Sequence, residues 1–304
     1  MILVAGEALI DLTEDGDGRY TAHPGGGPCN TAVALGRLGV HVGFLGGLSG
    51  DRFGDMLRRH LADAGVDLSL AVDTNAPTTL AVASLDDAGA ASYGFYLDGT
   101  SAAAVTAHHA PGPLPATVEA LWYGTLGLVI EPAATTLIEL AAASAARMVI
   151  GVDPNLRPSA IGDMAAHRRR VIEVMASADI VKLSADDAEV LRPGDVPVDT
   201  AAWIHRLGPS LVVLTRGADG VTAITGRGAV DLDVPEVVVA DSIGAGDAYA
   251  AGLLAGLHDH GLLTKPAIAA LSGGDLADIH DLAASVAAVT VSRPGADPPW
   301  RAEL

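Results

Sequence analysis

The segment A-D-S-I-G-A-G-D-A-Y-A-A-G-L-L-A-G-L, residues 240–257, places Asp247 directly after a Gly-Ala-Gly turn, where an apolar helical run begins. Gly244 and Gly246 allow such a turn to expose successive backbone N–H groups, and a helix N-terminus adds partial positive charge. That arrangement can hold an anion, while the adjacent carboxylate can accept a proton from a hydroxyl. The plainer account is an aspartate that caps its helix. Capping explains neither the two flanking glycines nor Asp241, six residues earlier. The stretch is not a dinucleotide fingerprint, because Tyr249 stands where a third glycine would fall. Nor does a GxxxxGK[ST] phosphate loop occur anywhere in the chain.

A second constellation lies near the N-terminus, in H-P-G-G-G-P-C-N-T-A-V-A-L-G-R-L-G, residues 23–39. Three glycines, among them Gly26 and Gly27, run into a helix with Pro28 at its start. Backbone there can approach a ligand without side-chain clashes. Asn30, in the first turn, can both donate and accept hydrogen bonds. Asp11, after the first strand, is expected to face the same crevice. A carboxylate, an asparagine and free amides suit a polyol. An ordinary strand-to-helix turn with Asn30 as its cap is the alternative.

These groups need a rigid frame, and the composition supplies one. Half of the 304 residues are hydrophobic and 36 are glycine, enough for a large core with many tight turns. The formal net charge of −19 argues against nucleic-acid or anionic-membrane partners. Lys182 and Lys265 are the only lysines. An anionic ligand must therefore be held by a few arginines and by backbone amides, an anion site made without lysine. The single cysteine, Cys29, excludes an intrachain disulfide and a cysteine-rich metal site. The opening M-I-L-V-A-G-E-A-L-I-D-L reads as a buried strand, and no apolar run reaches membrane-spanning length. A cytoplasmic protein is expected.

Strand candidates at 2–6, 41–46, 120–126, 147–153, 179–184 and 210–217 alternate with helix candidates. The helices are expected at 28–38, 51–64, 132–146, 164–177, 185–191, 245–257 and 279–291. This alternation predicts an α/β chain, one continuous domain over 1–304, with a parallel sheet between layers of helices. Two stretches break the rhythm. Residues 8–24 read as a hairpin turning at D-G-D-G, and 78–100 as another turning at D-D-A-G. Strands at about 9–24 and 78–100 would form a small β-strand lid over the carboxyl ends of the sheet, where open parallel sheets bind ligands.

Residues 241–257 closely resemble the C-terminal signature D-T-x-G-A-G-D of the ribokinase-like (PfkB) carbohydrate kinases, with Ser242 for threonine. G-G-G-P-C-N-T-A-V-A-L-G-R-L-G followed by G-G-L-S-G-D-R-F-G (46–54) is similar to the family's N-terminal signature. The likeness extends to V-D-P-N-L-R-P, V-K-L-S-A-D-D-A-E-V-L and A-A-V-T-V-S-R-P-G-A, and so spans almost the whole chain. It implies a ribokinase-like doubly wound, mostly parallel sheet. It also implies ATP-dependent phosphorylation of a sugar's primary hydroxyl.

By that resemblance Asp247 is the general base, and the turn from Gly244 presents the amides of Ala245, Gly246 and Asp247 as an anion hole. The helix N-terminus is expected to keep Asp247 ionised, a weak base at rest. The same resemblance gives the sugar Asp11, Gly26, Gly27, Asn30, Tyr96 and Arg157. It gives the nucleotide Lys182, Ser184, Thr215, Gly217 and Gly220, although the last three also fit an ordinary hairpin turn. S-A-D-D (184–187) replaces the family's N-x-x-E, so Asp187 either reaches Mg²⁺ through water or serves a capping arrangement. Asp241 and Ser242, with 284–295, match where relatives bind a potassium-like ion through carbonyls.

G-E-A-L-I-D-L, D-P-N-L-R and F-Y-L-D-G-T-S-A resemble the fructokinase and 2-keto-3-deoxygluconate kinase branches. Fructose is the preferred expectation. Arg157 could instead face a substrate carboxylate, favouring the keto-deoxy acid, or assist phosphate binding, and Tyr20, Phe95 and Tyr96 keep a nucleoside kinase open. A sugar-binding relative without catalysis would have lost the Gly-Ala-Gly-Asp segment, which is present. Relatives imply a homodimer through the lid. His108, His109, Trp122 and Trp203 are taken as structural or surface residues.

Overall fold

The computed structural model describes residues 1–14, 18–85, 91–110 and 114–304. Its main sheet has eight strands. In spatial order they are Gly228–Leu232, Val221–Thr225, Leu211–Thr215, Ile180–Ser184, Val149–Asp153, Ala120–Gly124, Ile2–Ala5 and Val42–Leu45. The six from Leu211–Thr215 to Val42–Leu45 run parallel, and the other two close one edge antiparallel. The inner strands are buried on both faces, which is why their sequences read as near-continuous apolar runs.

The first strand decides where a ligand can enter. Ile2–Ala5 pairs with Val42–Leu45 on one side and with Ala120–Gly124 on the other. The chain builds outward first to one side, then to the other, so the connections diverge between Ile2–Ala5 and Ala120–Gly124. A crevice opens outside the carboxyl ends of strands at such a reversal.

Helices cover both faces. On one, Gly27–Arg37, Ala245–Asp259 and Gly273–Val291 pack with Arg52–Asp63 over Ile2, Val4 and Phe44. On the other, Ala133–Ser144, Met164–Ala176 and Pro197–His205 cover Leu3, Ile150 and Val212. Each helix expected from the sequence is present, within a few residues at its ends, except the last. That helix begins at Gly273 rather than 279, because Ser272 and Asp275 form a capping box that offsets the two glycines. Helices Pro197–His205 and Lys265–Ala270, and strands Val221–Thr225 and Gly228–Leu232, were not anticipated. Among the described residues no helix is long and apolar enough to cross a membrane.

A second sheet of four strands runs Tyr20–Gly25, Leu9–Glu14, Leu80–Leu85, Ala91–Tyr96. Of the expected D-G-D-G turn only Gly18 is described, and the D-D-A-G turn lies outside the described residues. The base of this sheet is tied to the main body through hydroxyls. Asp51, the N-cap of Arg52–Asp63, accepts the Thr78 N–H at 2.8 Å and the Thr78 hydroxyl at 2.6 Å. Thr79 then donates to the buried Thr100 hydroxyl at 2.8 Å.

Helices Ala245–Asp259 and Gly273–Val291 approach closely because of small residues. A Cβ on Gly252 would lie 2.5 Å from the Ala283 Cα. Alanine favours a helix interior by about 1 kcal/mol over glycine, but here the backbone of the neighbouring helix would have to move. Gly252→Ala is expected to lose about 1–3 kcal/mol in urea unfolding. A net gain in stability would show that the two helices are free to part.

Candidate active site

Asn30 and Asp247 sit in the first turns of two helices that pack side by side, Gly27–Arg37 and Ala245–Asp259. The Asn30 Nδ2 donates to Asp247 Oδ2 at 2.9 Å, joining positions 217 residues apart. Both side chains are buried, Asn30 to 7% and Asp247 to 8% exposure. Neither capping alternative is realised. The N-cap positions belong to Gly26 and Gly244, and no side-chain cap bond is made at either helix.

Asp247 differs from expectation in the direction of its pKa shift. It was expected to stay ionised under the influence of the helix N-terminus. Burial instead drives its pKa upward, against the opposing pull of the Asn30 amide, Lys182 and Arg157. A carboxyl taken out of water holds its proton more tightly, which makes it the stronger base.

The glycines around it have specific causes. Gly244, the N-cap, has φ +75°, a backbone that side chains other than glycine rarely adopt. A Cβ on Gly246 would lie 2.7 Å from the Lys182 Nζ. Lys182, from the strand Ile180–Ser184, is 4% exposed and forms a 2.7 Å ion pair with Asp153 Oδ2. The expected anion site without lysine is thus corrected: a buried ammonium lies directly against the turn. Burial would lower the Lys182 pKa, but Asp153, Asp187 and Asp247 raise it, so it remains charged. Burial pushes Asp153 up to about 6 while Lys182 pulls it back, and the pair is ionic at neutral pH.

The expected trio of amides is also modified. The Ala245 N–H turns back to the Ser242 carbonyl at 3.3 Å. The N–H groups of Gly246 and Asp247 have no backbone partner among the described residues, as befits a first helical turn. Asp241 spends its carboxylate on tying loops, accepting the N–H of Ile243 at 3.0 Å and of Gly295 at 2.9 Å. Ser242 is exposed beside it.

On the other wall, Gly26 and Gly27 open the helix that carries Asn30. A Cβ on Gly27 would lie 2.7 Å from Thr125 Oγ1, 3.2 Å from Asp247 Oδ1 and 3.4 Å from Asn155 Nδ2. Asp11, half-buried on the strand Leu9–Glu14, is pushed up to about 6 by burial and by Asp247, with Arg157 opposing. The exposed Arg157 acts electrostatically on both Asp11 and Asp247. Tyr96 stands 63% exposed at the end of its strand, and its side chain makes no hydrogen bond or ring contact among the described residues.

Further along the sheet, Ser184 and Thr215 are register partners at the carboxyl ends of neighbouring strands. Gly217 and Gly220 shape the tight connection from Leu211–Thr215 to Val221–Thr225, which is an antiparallel hairpin. Ser184 and Asp187 form a capping box. Asp187 accepts from the Ser184 N–H and hydroxyl through Oδ2 and from the Leu156 N–H through Oδ1. The capping arrangement of S-A-D-D is present in the structure. Trp122 is buried in the core, Trp203 lies under Arg192 at 5.0 Å, and His109 bonds Thr106.

Glu7, Thr125, Asp153 and Asn155 also reach this site, although none stands out by residue type or spacing in the sequence. Each follows a strand of the main sheet, or lies at its end, near the reversal point. Thr125 and Asn155 have φ +55° and +37°, values uncommon outside glycine. Glu7 lies in G-E-A-L-I-D-L and Asp153 and Asn155 in V-D-P-N-L-R-P, segments that carry the family likeness, while Thr125 is marked only by its position after a strand.

The raised pKa of Asp11 has a consequence for stability. Its folded carboxyl binds a proton more tightly than the unfolded one, so its contribution is present below the ordinary carboxylate range. That contribution is lost as pH rises through about 6. Between pH 4 and pH 7 the ligand-free protein should lose on the order of 2 kcal/mol that Asp11→Asn retains. Denaturant titrations of both proteins across that range check it, and a pH-independent difference would contradict it.

A family model described as pfkB family carbohydrate kinase matches residues 1–303. A fructokinase of Rhizobium leguminosarum bv. trifolii is 38% identical over 276 residues, covering 89% of this chain and 84% of its own. Among solved structures, the ATP-bound fructokinase of Xylella fastidiosa superposes with a TM-score of 0.89 at 28% identity, covering 97% of this chain and 93% of its own. A double mutant of the Vibrio cholerae O395 fructokinase, in a fructose-, ADP- and potassium-bound form, gives 0.85 at 25% identity, again covering 97% and 93%. With signatures, sheet order and whole-length likeness in agreement, the chain belongs to the pfkB family of carbohydrate kinases.

Proposed function

We propose that this kinase transfers the γ-phosphoryl group of ATP to the primary hydroxyl of fructose. The observation that carries the reading is the 2.9 Å contact between Asn30 and Asp247, which joins the polyol crevice to the Gly-Ala-Gly-Asp turn. The buried Asn30 Oδ1 has no partner among the described residues, and a sugar hydroxyl would supply one. Asp11, Gly26, Gly27, Asn30 and Arg157 hold the sugar, with Tyr96 closing over it. Arg157, the one arginine assigned to the sugar among the described residues, suits a neutral ketose better than a keto-deoxy acid, which would want a second.

In the reaction, Asp247 takes the hydroxyl proton as the new O–P bond forms and the bond to the ADP oxygen breaks. Its raised pKa suits a base that must hold a proton at that moment. The N–H groups of Gly246 and Asp247 and the Lys182 ammonium face the charge on the phosphoryl oxygens, and they are in place before the reaction begins. Ser184, Thr215, Gly217 and Gly220 line the nucleotide side.

Among the described residues no cluster of three or more carboxylate, histidine or cysteine side chains could cage a metal. That suits Mg²⁺, which binds chiefly through substrate phosphates and retains waters; Asp187 would reach it through one of those waters. When bound, Mg²⁺ neutralises phosphate charge. Carbonyls of 241–243 and 284–295 would hold a potassium ion. The four-stranded sheet serves as the lid, and its exposed Tyr20 and Tyr96 support a homodimer formed through it. The protein is assigned to the cytoplasm.

Asp247→Asn should lower kcat by about 10²- to 10⁴-fold while leaving fructose binding within severalfold of wild type. The test is coupled ADP release over a panel of fructose, 2-keto-3-deoxygluconate, ribose, fructose phosphates and nucleosides, with calorimetry for binding. Wild-type turnover by the variant would remove the base assignment. Preference for a panel member other than fructose would replace the substrate.

A further inference from the structure

We infer that Glu7 is a positioning residue for the sugar: its carboxyl group bridges the two loops that diverge at the sheet reversal and so holds Gly27 and Thr125 against Asp247. The inference rests on the kinase reading above and adds a residue to it. Glu7 directly follows the strand Ile2–Ala5 and its loop residue Gly6, and it is 1% exposed. Its Oε1 accepts the Gly27 N–H at 3.2 Å, and its Oε2 accepts the Gly127 N–H at 3.0 Å. Gly27 opens the sugar loop, while Gly127 belongs to the turn Thr125–Leu128 that follows the strand Ala120–Gly124.

Three observations give that bridge a purpose beyond packing. A buried carboxyl is a costly way to satisfy two amides, and burial pushes Glu7 up to about 8, against the pull of the Gly127 and Gly27 N–H groups. Thr125, a β-branched residue at φ +55°, holds a conformation that persists only where surrounding contacts enforce it. The Thr125 hydroxyl and the Asp247 carboxylate both converge on Gly27, leaving room there only for glycine. A shift of either loop would therefore move the sugar relative to its base, and small misplacements of reacting groups are expensive in rate.

The bridge needs two acceptors. Both oxygens of a carboxyl accept, whether or not it carries a proton. An amide of the same shape offers one acceptor and turns an NH₂ group against the other backbone N–H. Glu7→Gln thus breaks one side of the bridge with almost no change in volume.

The experiment compares wild type, Glu7→Gln, Thr125→Ala and the double variant in steady-state kinetics on whichever sugar wild type phosphorylates best. Amide hydrogen exchange is followed in the ligand-free proteins. Glu7→Gln is expected to raise the KM for sugar at least 10-fold, leave the KM for ATP within twofold, and speed exchange at Gly27, Gly127 or both. The double variant should fall no more than twofold below the worse single variant, because Glu7 and Thr125 act as one unit. The inference is overturned if Glu7→Gln keeps wild-type sugar constants, if sugar and ATP constants decline together with the melting temperature, or if the two losses add. Should Glu7→Gln fail to fold, wild-type exchange decides: the Gly27 and Gly127 amides must be slowed together by sugar, and independent behaviour overturns the bridge. Absence of any sugar turnover by wild type would sink the kinase reading by itself, while exchange at the two amides in the ligand-free proteins would still judge the bridge.

Discussion

The dependence of this structure on one buried interaction begins with the cost of removing Asp247 from water. A carboxylate in a low-dielectric interior is tolerated only with partners. Asn30 supplies a hydrogen bond, and the buried Lys182 and the exposed Arg157 supply opposing charge. To bring the first of these into range, helices Gly27–Arg37 and Ala245–Asp259 must begin at the same edge of the sheet and lie against each other. Their small residues, Ala32, Ala34, Ala248 and Ala251 among them, are fully or almost fully buried and permit that approach. The chemistry and the packing are thus one requirement.

A chain carrying a net charge of −19 must still hold a polyanion. On the function proposed here it does so by concentrating positive potential rather than by spreading basic residues. Two unpaired amides at a helix N-terminus and one buried ammonium, kept charged by Asp153, are worth more in a dry interior than exposed lysines in solvent. Gly246 is part of this device, since a side chain there would displace the Lys182 ammonium from beneath the turn.

Much of the frame could be read along the chain. Apolar β-rich runs located the six parallel strands, and alternation with alanine-rich helices implied the layers, because such strands are buried on both faces. The elements that were missed have separate causes. Gly228–Leu232 is a mostly exposed edge strand, so its pattern is weak, whereas Val221–Thr225 is a buried inner strand whose short V-T-A-I-T run follows directly on a glycine turn. The start of the last helix was hidden behind Gly273 and Gly274, whose cost is offset by a capping box between Ser272 and Asp275. In the site, the two glycine-rich turns and Asp11, Asn30 and Asp247 were legible because glycine and isolated polar residues in apolar runs are conspicuous.

What the sequence by itself determined is therefore the set of local instructions: where the six parallel strands and most of the long helices lie, where turns need glycine, and which polar residues stand where an apolar helix begins. Only the tertiary structure decided that Lys182 lies against Gly246, that Glu7 joins Gly27 to Gly127, and that Asp187 accepts the Leu156 N–H. It also decided that Asp247 is raised rather than lowered in pKa. The reason is physical. Desolvation and contacts between residues far apart in the chain depend on how the layers close, and no local pattern encodes the distance between two loops that leave different strands.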